Sequence, residues 1–156
     1  MSDAEPCDQC GWAGAGGRAG CRARFEAYLA RDFSDPLFFR VQRMFVDTYC
    51  LQHPDDFCAS AKSLAAHLAG LCWILEEGAA TASGPEALQR WLGGARRLDK
   101  PALPAQRGAL TLGDLPEDSD ARAWGEAVRR WAESTWAAYA GLHGVARAWV
   151  AEAGRS

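Results

Sequence analysis

The chain has 156 residues, with 17 Lys and Arg against 20 Asp and Glu, giving a formal net charge of -3. This length suffices for one domain with its own apolar core. The charge balance provides no basic stripe for phosphates, so we expect no nucleic-acid partner. No segment approaches the ~20 consecutive apolar residues of a membrane span, so we expect no association with a membrane.

The first residues, Met1 to Pro6, are acidic and contain no apolar stretch, which is unlike a secretory signal or a transit peptide. The chain contains 6 Cys. Cysteines would form a disulfide framework in a secreted protein, but nothing here directs the chain out of the cytoplasm. We therefore expect a cytoplasmic protein whose cysteines serve as thiols, metal ligands or redox groups.

A Cys-x-x-Cys-Gly run near the start of the chain predicts half of a zinc site. Two residues between Cys7 and Cys10 let both sulfurs face one tetrahedral ion at ~2.3 Å. Gly11 tolerates the tight turn in which backbone N–H groups point back at the thiolates. Two alternatives are an incidental feature of the tail and a redox dithiol, although a redox pair normally lies where a strand meets a helix.

Residues 11–20 contain five glycines and are predicted to form a flexible connector. Helical spacing of apolar residues begins at Cys21, and the stripe of the first helix is Phe25, Tyr28, Leu29 and Phe33. Asp35 and Pro36 supply an N-cap and a first helical residue for a second helix. The apolar face of that helix carries Phe38, Val41, Phe45 and Tyr49.

A turn at residues 52–56 leads into a third helix, which we expect to be central. Its apolar stripe consists of Leu64, His67, Leu68, Leu71, Cys72 and Leu75. A shorter helix opens at Ser83 and closes at the glycines 93 and 94. Residues 98–110 are predicted to form a surface loop, and residues 111–115 one turn of helix.

The longest periodic stretch runs from Trp124 to Trp149, with apolar side chains at alternating steps of four and three residues. This spacing is typical of a helix packed along another helix, either within the monomer or against a protein partner or second copy. Ser119 is the expected N-cap. Gly141 and Gly144 predict a kink or a break near Leu142.

No run alternates with period two over the length of a strand, which favours an all-α fold. We expect a four- or five-helix bundle with the Cys-x-x-Cys knuckle on a glycine-rich connector. The predicted organisation is a single domain over residues 1–156. Residues 1–20 form the knuckle and connector, and residues 21–152 form the bundle.

A closed zinc site needs four ligands, so two must come from outside the knuckle. Cys21 follows the connector at the start of a helix, whose N-terminus favours a thiolate. His53 stands in a turn before Pro54, where a rigid backbone suits a ligand. The alternatives are a half-exposed first-turn cysteine and a polar turn histidine. The predicted metal ligands are Cys7, Cys10, Cys21 and His53.

Asp47 and His67 form a second candidate pair. A helix rises ~1.5 Å per residue, so an antiparallel hairpin of the second and third helices brings His67 near the level of Asp47. The pair would be an acid–base couple in an enzyme, an orienting pair beside a metal, or a buried polar pair that satisfies itself. Cys50, Cys58 and Cys72 are interpreted as small apolar core residues.

Several short motifs together resemble an uncharacterised bacterial family, a domain of unknown function. They are Cys7-x-x-Cys10-Gly11, Gly20-Cys21, Ser34-Asp35-Pro36, Val46-Asp47-Thr48-Tyr49, Gln52-His53-Pro54 and His67-Leu68-Ala69-Gly70-Leu71-Cys72. The resemblance covers most of the chain and implies a small helical protein without an assigned activity. Cys50 and Cys58 are not part of the pattern.

Three functional hypotheses follow from these residues. In the first, Zn²⁺ ties the N-terminal segment to the bundle. In the second, a metal-dependent enzyme keeps one zinc position open beside an acid–base pair formed by Asp47 and His67. In the third, Cys7 and Cys10 form a reversible disulfide of a thiol redox protein. The small-molecule ligand, if the protein has one, is not identified by the sequence.

Overall fold

A computed structural model describes residues 5–78 and 84–155 of the chain. All regular structure within these ranges is helical, as the absence of period-two alternation predicts. The helices are α1 (Gly17–Ser34), α2 (Pro36–Phe39), α3 (Gln42–Gln52), α4 (Pro54–Phe57), α5 (Ala61–Cys72), α6 (Gly84–Gly93), α7 (Ala121–Ala138) and α8 (His143–Arg155). A π-helical turn continues α5 over Trp73–Glu77, and 3-10 turns cover Leu112–Asp114 and Ala140–Leu142. None of the described helices combines the length and the apolar character needed to cross a membrane.

Helix α5 lies at the centre of the bundle, as its length and apolar stripe predict. It packs against α3, α6, α7 and α8. Ser60 and Ser63 form a reciprocal capping box at its start, which satisfies backbone groups that a helix end leaves unpaired. Leu64, Leu68 and Leu71 are fully buried on its inner face. This helix therefore fixes the positions of the elements around it.

The periodic seam that begins at Trp124 packs inside the monomer. Trp124 and Trp131 of α7 are both fully buried. Phe45 of α3 contacts both indole rings, with centroid separations of 5.7 Å in each pair. The seam is interrupted by the 3-10 turn Ala140–Leu142, where Gly141 predicts a break. The stretch predicted as one long helix is thus the pair α7 and α8.

Three helix boundaries differ from the sequence-based expectation. Helix α1 begins at Gly17 rather than after residue 20, since the Gly20 N–H already donates to the Gly16 carbonyl oxygen at 3.0 Å. The predicted second helix is divided at Val41, whose φ of -106° and ψ of 9° leave the helical conformation. Asp120, not Ser119, caps α7 by accepting a hydrogen bond from the backbone N–H of Ala123.

Other predicted features of the helix ends have mixed outcomes. Asp35 caps α2 as expected, since its side chain accepts a hydrogen bond from the Leu37 N–H. Phe33 does not continue the buried stripe of α1, because its side chain is 69% exposed and Asp32 turns inward instead. Ser83, the predicted start of α6, lies outside the described residues.

Candidate metal centre

The Cys7–Gly11 turn places two sulfurs on one side of the backbone. The Gly11 N–H donates to the Cys7 carbonyl oxygen and the Cys7 N–H donates to the Trp12 carbonyl oxygen, both at 2.8 Å. Gly11 adopts a φ of +82°, a left-handed conformation that favours glycine. The Trp12 N–H lies 3.4 Å from Cys10 Sγ and donates to it. The turn therefore has the tight geometry that Gly11 predicts.

Cys21 and His53 meet the two knuckle sulfurs in the protein interior. Cys21 Sγ lies 3.8 Å from Cys10 Sγ. His53 Nε2 lies 3.5 Å from Cys7 Sγ and 3.4 Å from Cys21 Sγ. Cys7, Cys21 and His53 are buried, whereas Cys10 is half-buried. The structure thus brings together the knuckle, α1 and the junction between α3 and α4.

Three of the six separations between these four donors match the edges of a tetrahedron around a metal ion. All four donor atoms lie within 4.8 Å of one another. Zinc–sulfur bonds of ~2.3 Å and zinc–nitrogen bonds of ~2.0–2.1 Å place tetrahedral ligand pairs ~3.8 Å apart for two sulfurs and ~3.6 Å apart for sulfur and nitrogen. The three separations given above, 3.4 to 3.8 Å, agree with these values. The group can therefore hold a tetrahedral ion with little rearrangement.

The helix that ends at His53 fixes which ring nitrogen faces the sulfurs. His53 Nδ1 lies 2.7 Å from the carbonyl oxygen of Tyr49, one helical turn earlier. A carbonyl only accepts hydrogen bonds, so Nδ1 carries the proton and Nε2 presents its lone pair to the cysteines. The imidazole also stacks on the Tyr49 ring, with centroids 3.9 Å apart. A hydrogen-bond acceptor for the ring N–H that faces away from the metal, such as the Tyr49 carbonyl, is typical of metal-binding histidines.

Of the three cysteines in the group, Cys10 is the one whose pKa is lowered. Hydrogen bonding from Cys21, together with the Trp12 N–H, lowers the pKa of Cys10 to about 4. The same contact with Cys10, together with burial, raises the pKa of Cys21. Burial raises the pKa of Cys7. Cys21 lies a full turn inside α1, and the effect of the helix N-terminus on its thiolate stays a prediction.

Further contacts fasten the knuckle to distant parts of the chain. Arg107, in the predicted surface loop, donates from Nη1 to the Gln9 carbonyl oxygen at 2.9 Å. The Gln9 side chain bonds Asp55 at the start of α4. Arg18 pairs with Asp8 at 2.7 Å. These contacts hold the knuckle in place beside α1 and α4.

Asp47 and His67 are in contact, as their estimated depth in the bundle predicts. His67 Nδ1 lies 2.9 Å from Asp47 Oδ1. Arg43 Nε donates to the other carboxylate oxygen at 2.9 Å. Neither Asp47 nor His67 belongs to the group of metal-capable residues around His53. Their acid–base role stays a prediction.

Sequence reasoning missed two residues that support the candidate sites. Tyr49 orients His53 through its carbonyl, and its hydroxyl lies 3.8 Å from Cys21 Sγ. Arg43 balances the charge of buried Asp47. Both lie four residues before the residue they contact, so helical spacing gives the signal that identifies them.

The other three cysteines are buried away from the metal-capable group. Cys50, Cys58 and Cys72 are free thiols with at most 3% exposure. Burial raises the pKa of Cys58 to about 12, and the pKa of Cys72 to about 12 as well. Their interpretation as small apolar core residues is confirmed.

Fold and site together define a small all-helical protein with a Cys₃His group that could hold a metal ion. The sequence model of a protein family described as a family of unknown function (DUF5946) matches residues 5–140 of the chain. The chain belongs to this family, which confirms the resemblance seen in the short motifs. No curated protein and no solved structure matches the chain.

Proposed function

We propose that this protein is a zinc-binding helical protein in which the metal ties the N-terminal segment to the bundle. The ligands are Cys7, Cys10, Cys21 and His53. The observation that carries the proposal is that all four donors lie within 4.8 Å of one another and that three of their separations, 3.4 to 3.8 Å, agree with the edges of a zinc tetrahedron. Three sulfurs and one imidazole are a ligand set that structural zinc sites use.

The number of protein donors favours a structural role for the metal. Catalytic zinc sites keep one of four positions for water or substrate, whereas structural sites fill all four with side chains. The enzyme alternative requires one donor to leave and a cavity to reach the ion. The cleft lined by Met44, Trp73 and Leu88 includes none of the four donors. We therefore favour the closed site and a cytoplasmic setting, which suits six free thiols.

Metal content of the purified protein tests this proposal. Protein produced with zinc supplied is compared as wild type, Cys7→Ala and Cys72→Ala, each analysed for zinc per chain and for thermal unfolding. Cys72 is a matched control because it is 1% exposed, as Cys7 is, but lies outside the donor group. We expect about one zinc per chain in wild type and in Cys72→Ala, and a joint loss of zinc and stability in Cys7→Ala.

Two results would count against the proposal. Wild-type protein without stoichiometric zinc would overturn it directly. Retention of full zinc content and stability by Cys7→Ala would remove that cysteine from the site.

The redox alternative is separated from the metal proposal by counting thiols before and after mild oxidation. A zinc-bound Cys7 and Cys10 should resist conversion to a disulfide, because the metal holds both thiolates. A discrete two-electron step in zinc-loaded protein would favour the redox function instead. Chelation before oxidation provides the reference for the accessible thiols.

A further inference from the structure

A cleft separate from the Cys₃His group opens between α3, the end of α5 and the start of α6. Its volume is about 570 Å³, within the size range of small-molecule sites. Met44 and Leu88 are buried in its walls, and Trp73 and Ile74 of the π-helical turn add further apolar surface. π-Helical turns occur often at functional sites.

Arg43 is held rigidly at the edge of this cleft. Its Nε donates to buried Asp47 at 2.9 Å, and its Nη2 donates to the Ala66 carbonyl oxygen of α5 at 3.1 Å. His67 holds the other oxygen of Asp47 at 2.9 Å. Two of the three guanidinium nitrogens are therefore fixed by the protein. No acceptor in the described part of the chain contacts Nη1, so its two N–H groups are available to a ligand.

The helix opposite Arg43 is shaped to let the guanidinium lie across it. A Cβ at Gly70 would lie 2.6 Å from Asp47 Oδ2 and 3.0 Å from Arg43 Nη2. Glycine is unfavourable inside a helix, and this one makes room for an ion pair between two helices. The arrangement pre-organises a cation at the cleft, whereas a surface arginine normally samples many conformations.

Ion pairs nearly balance the charges around the cleft, so the preference for an anion rests on the fixed guanidinium of Arg43. Arg40 and Arg129 also line the cleft, and Arg129 pairs with Glu133 at 3.0 Å. Of the two acidic residues on its edge, Glu76 is neutralised by Arg147, with Nε and Nη2 at 2.9 and 2.6 Å from the carboxylate oxygens. Glu77 is the remaining acidic group and is exposed.

We propose that this cleft binds a small carboxylate with an apolar body, and that Arg43 receives the carboxylate. In this proposal Asp47 and His67 are positioning residues that hold Arg43, rather than an acid–base couple. The apolar walls accept the hydrocarbon part of the ligand, and the fixed guanidinium selects its charged end. The site does not depend on the metal centre.

Octanoate, labelled with ¹³C at the carboxylate, is the probe for this site. We expect wild-type protein to bind it with a Kd below about 1 mM. Octanol, which has the same chain without the charge, should bind at least tenfold more weakly. Arg43→Gln should weaken octanoate binding at least tenfold. Arg122→Gln is the matched control because Arg122 is exposed on α7 and pairs with Glu126, so it should bind as wild type does.

A second measurement keeps the test valid if Arg43→Gln folds poorly. The side-chain ¹⁵N resonances of Arg43 in wild-type protein should shift on addition of octanoate, while those of Arg122 should not. Arg43→Lys should also bind weakly, because an ammonium cannot hold Asp47 and face the cleft at once. The proposal is overturned if wild type does not bind octanoate, if octanol binds equally well, or if folded Arg43→Gln binds as wild type does.

Discussion

His53 donates its Nδ1 proton to the carbonyl oxygen of Tyr49 at 2.7 Å, while its Nε2 faces the sulfurs of Cys7 and Cys21. One turn of helix α3 thus sets both the tautomer and the direction of the imidazole. The Tyr49 ring stacks on the imidazole, and it also stacks on the Phe25 ring of α1 with centroids 3.8 Å apart. The proposed fourth metal ligand is therefore oriented by the same packing that joins α1 to α3.

Replacing His53 with alanine should release the metal. We expect His53→Ala to weaken zinc binding more than about 100-fold, since loss of outer partners alone typically costs about 10- to 100-fold. Competition with a chromophoric chelator measures the affinity. The chain offers a matched control in His143, which also stacks on an aromatic ring and bonds that residue's carbonyl, at 3.8 Å from Trp136 and 2.7 Å from its oxygen.

His143→Ala should leave zinc affinity unchanged, because His143 lies outside the donor group. Equal losses in the two variants would mean that histidine removal acts through general destabilisation. If both variants bind zinc with wild-type affinity, His53 is not a ligand.

The Tyr49 hydroxyl gives a finer test of the metal centre. Tyr49→Phe keeps the backbone carbonyl and the ring stacking, and removes only the contact of the hydroxyl with Cys21 Sγ at 3.8 Å. Outer-shell contacts typically contribute 10- to 100-fold in affinity, and for this long contact we expect about tenfold. The thiolate-to-metal charge-transfer bands of Co²⁺-substituted protein should shift. Tyr139→Phe is the control, because its buried hydroxyl bonds Leu51 and not a sulfur; unchanged bands in Tyr49→Phe would contradict the assignment.

Much of the candidate site could be predicted from residue spacing. The Cys-x-x-Cys-Gly run predicts the knuckle turn, and Pro54 marks the rigid turn that holds His53. The contact between Asp47 and His67 follows from the helical rise of ~1.5 Å per residue. These predictions succeed because each depends on local geometry or on one antiparallel hairpin.

Other features depend on tertiary packing that spacing alone does not encode. The break at Val41 allows Phe38 of α2 and Phe45 of α3 to contact the same indole of Trp124, with centroids 6.3 and 5.7 Å away. The Arg43 side chain of α3 lies close to Gly70 of α5. The hydrogen bond from Arg107 to the Gln9 carbonyl oxygen joins residues that are far apart in the sequence. A sequence pattern with period 3.6 carries no information about such partners.

Two glycine-to-alanine substitutions should change stability in opposite directions. Gly70→Ala places a methyl group 2.6 Å from Asp47 Oδ2 and must displace the carboxylate or Arg43. Asp47 is buried and the Arg43 side chain is 48% exposed, so leaving the carboxylate without its partner should cost about 2 kcal/mol. Gly125→Ala in α7 meets only Val41 Cγ1 at 3.6 Å, so better helix propensity should raise stability by about 0.5–1 kcal/mol.

Urea unfolding of the two variants beside wild type measures both effects. Because the substitutions are chemically identical and both lie inside helices, their difference isolates the close approach at Gly70. A neutral or stabilising Gly70→Ala would show that the ion pair adjusts without cost, and would weaken the case that Arg43 is rigidly held.

Asp32 should make the protein less stable as the pH rises through the acidic range. It is fully buried, and burial raises its pKa to about 6 although Arg31 lies 3.6 Å from its Oδ1. Unfolded aspartate has a pKa near ~3.9, so the folded state binds more protons between pH ~4 and ~6. The free energy of unfolding therefore falls across that window, by about 2–3 kcal/mol from this group.

Asp32→Asn cannot titrate and should remove this fall. We expect the variant to gain about 2–3 kcal/mol relative to wild type between pH 4 and pH 7, with the sign set by the raised pKa. Urea unfolding at each pH measures the difference, in which the acid sensitivity of the shared metal site cancels. Asp99→Asn, at an exposed position, is the control and should differ from wild type by little at any pH. A constant difference between Asp32→Asn and wild type would mean that Asp32 titrates alike in the folded and unfolded chains, with Arg31 offsetting the cost of its burial.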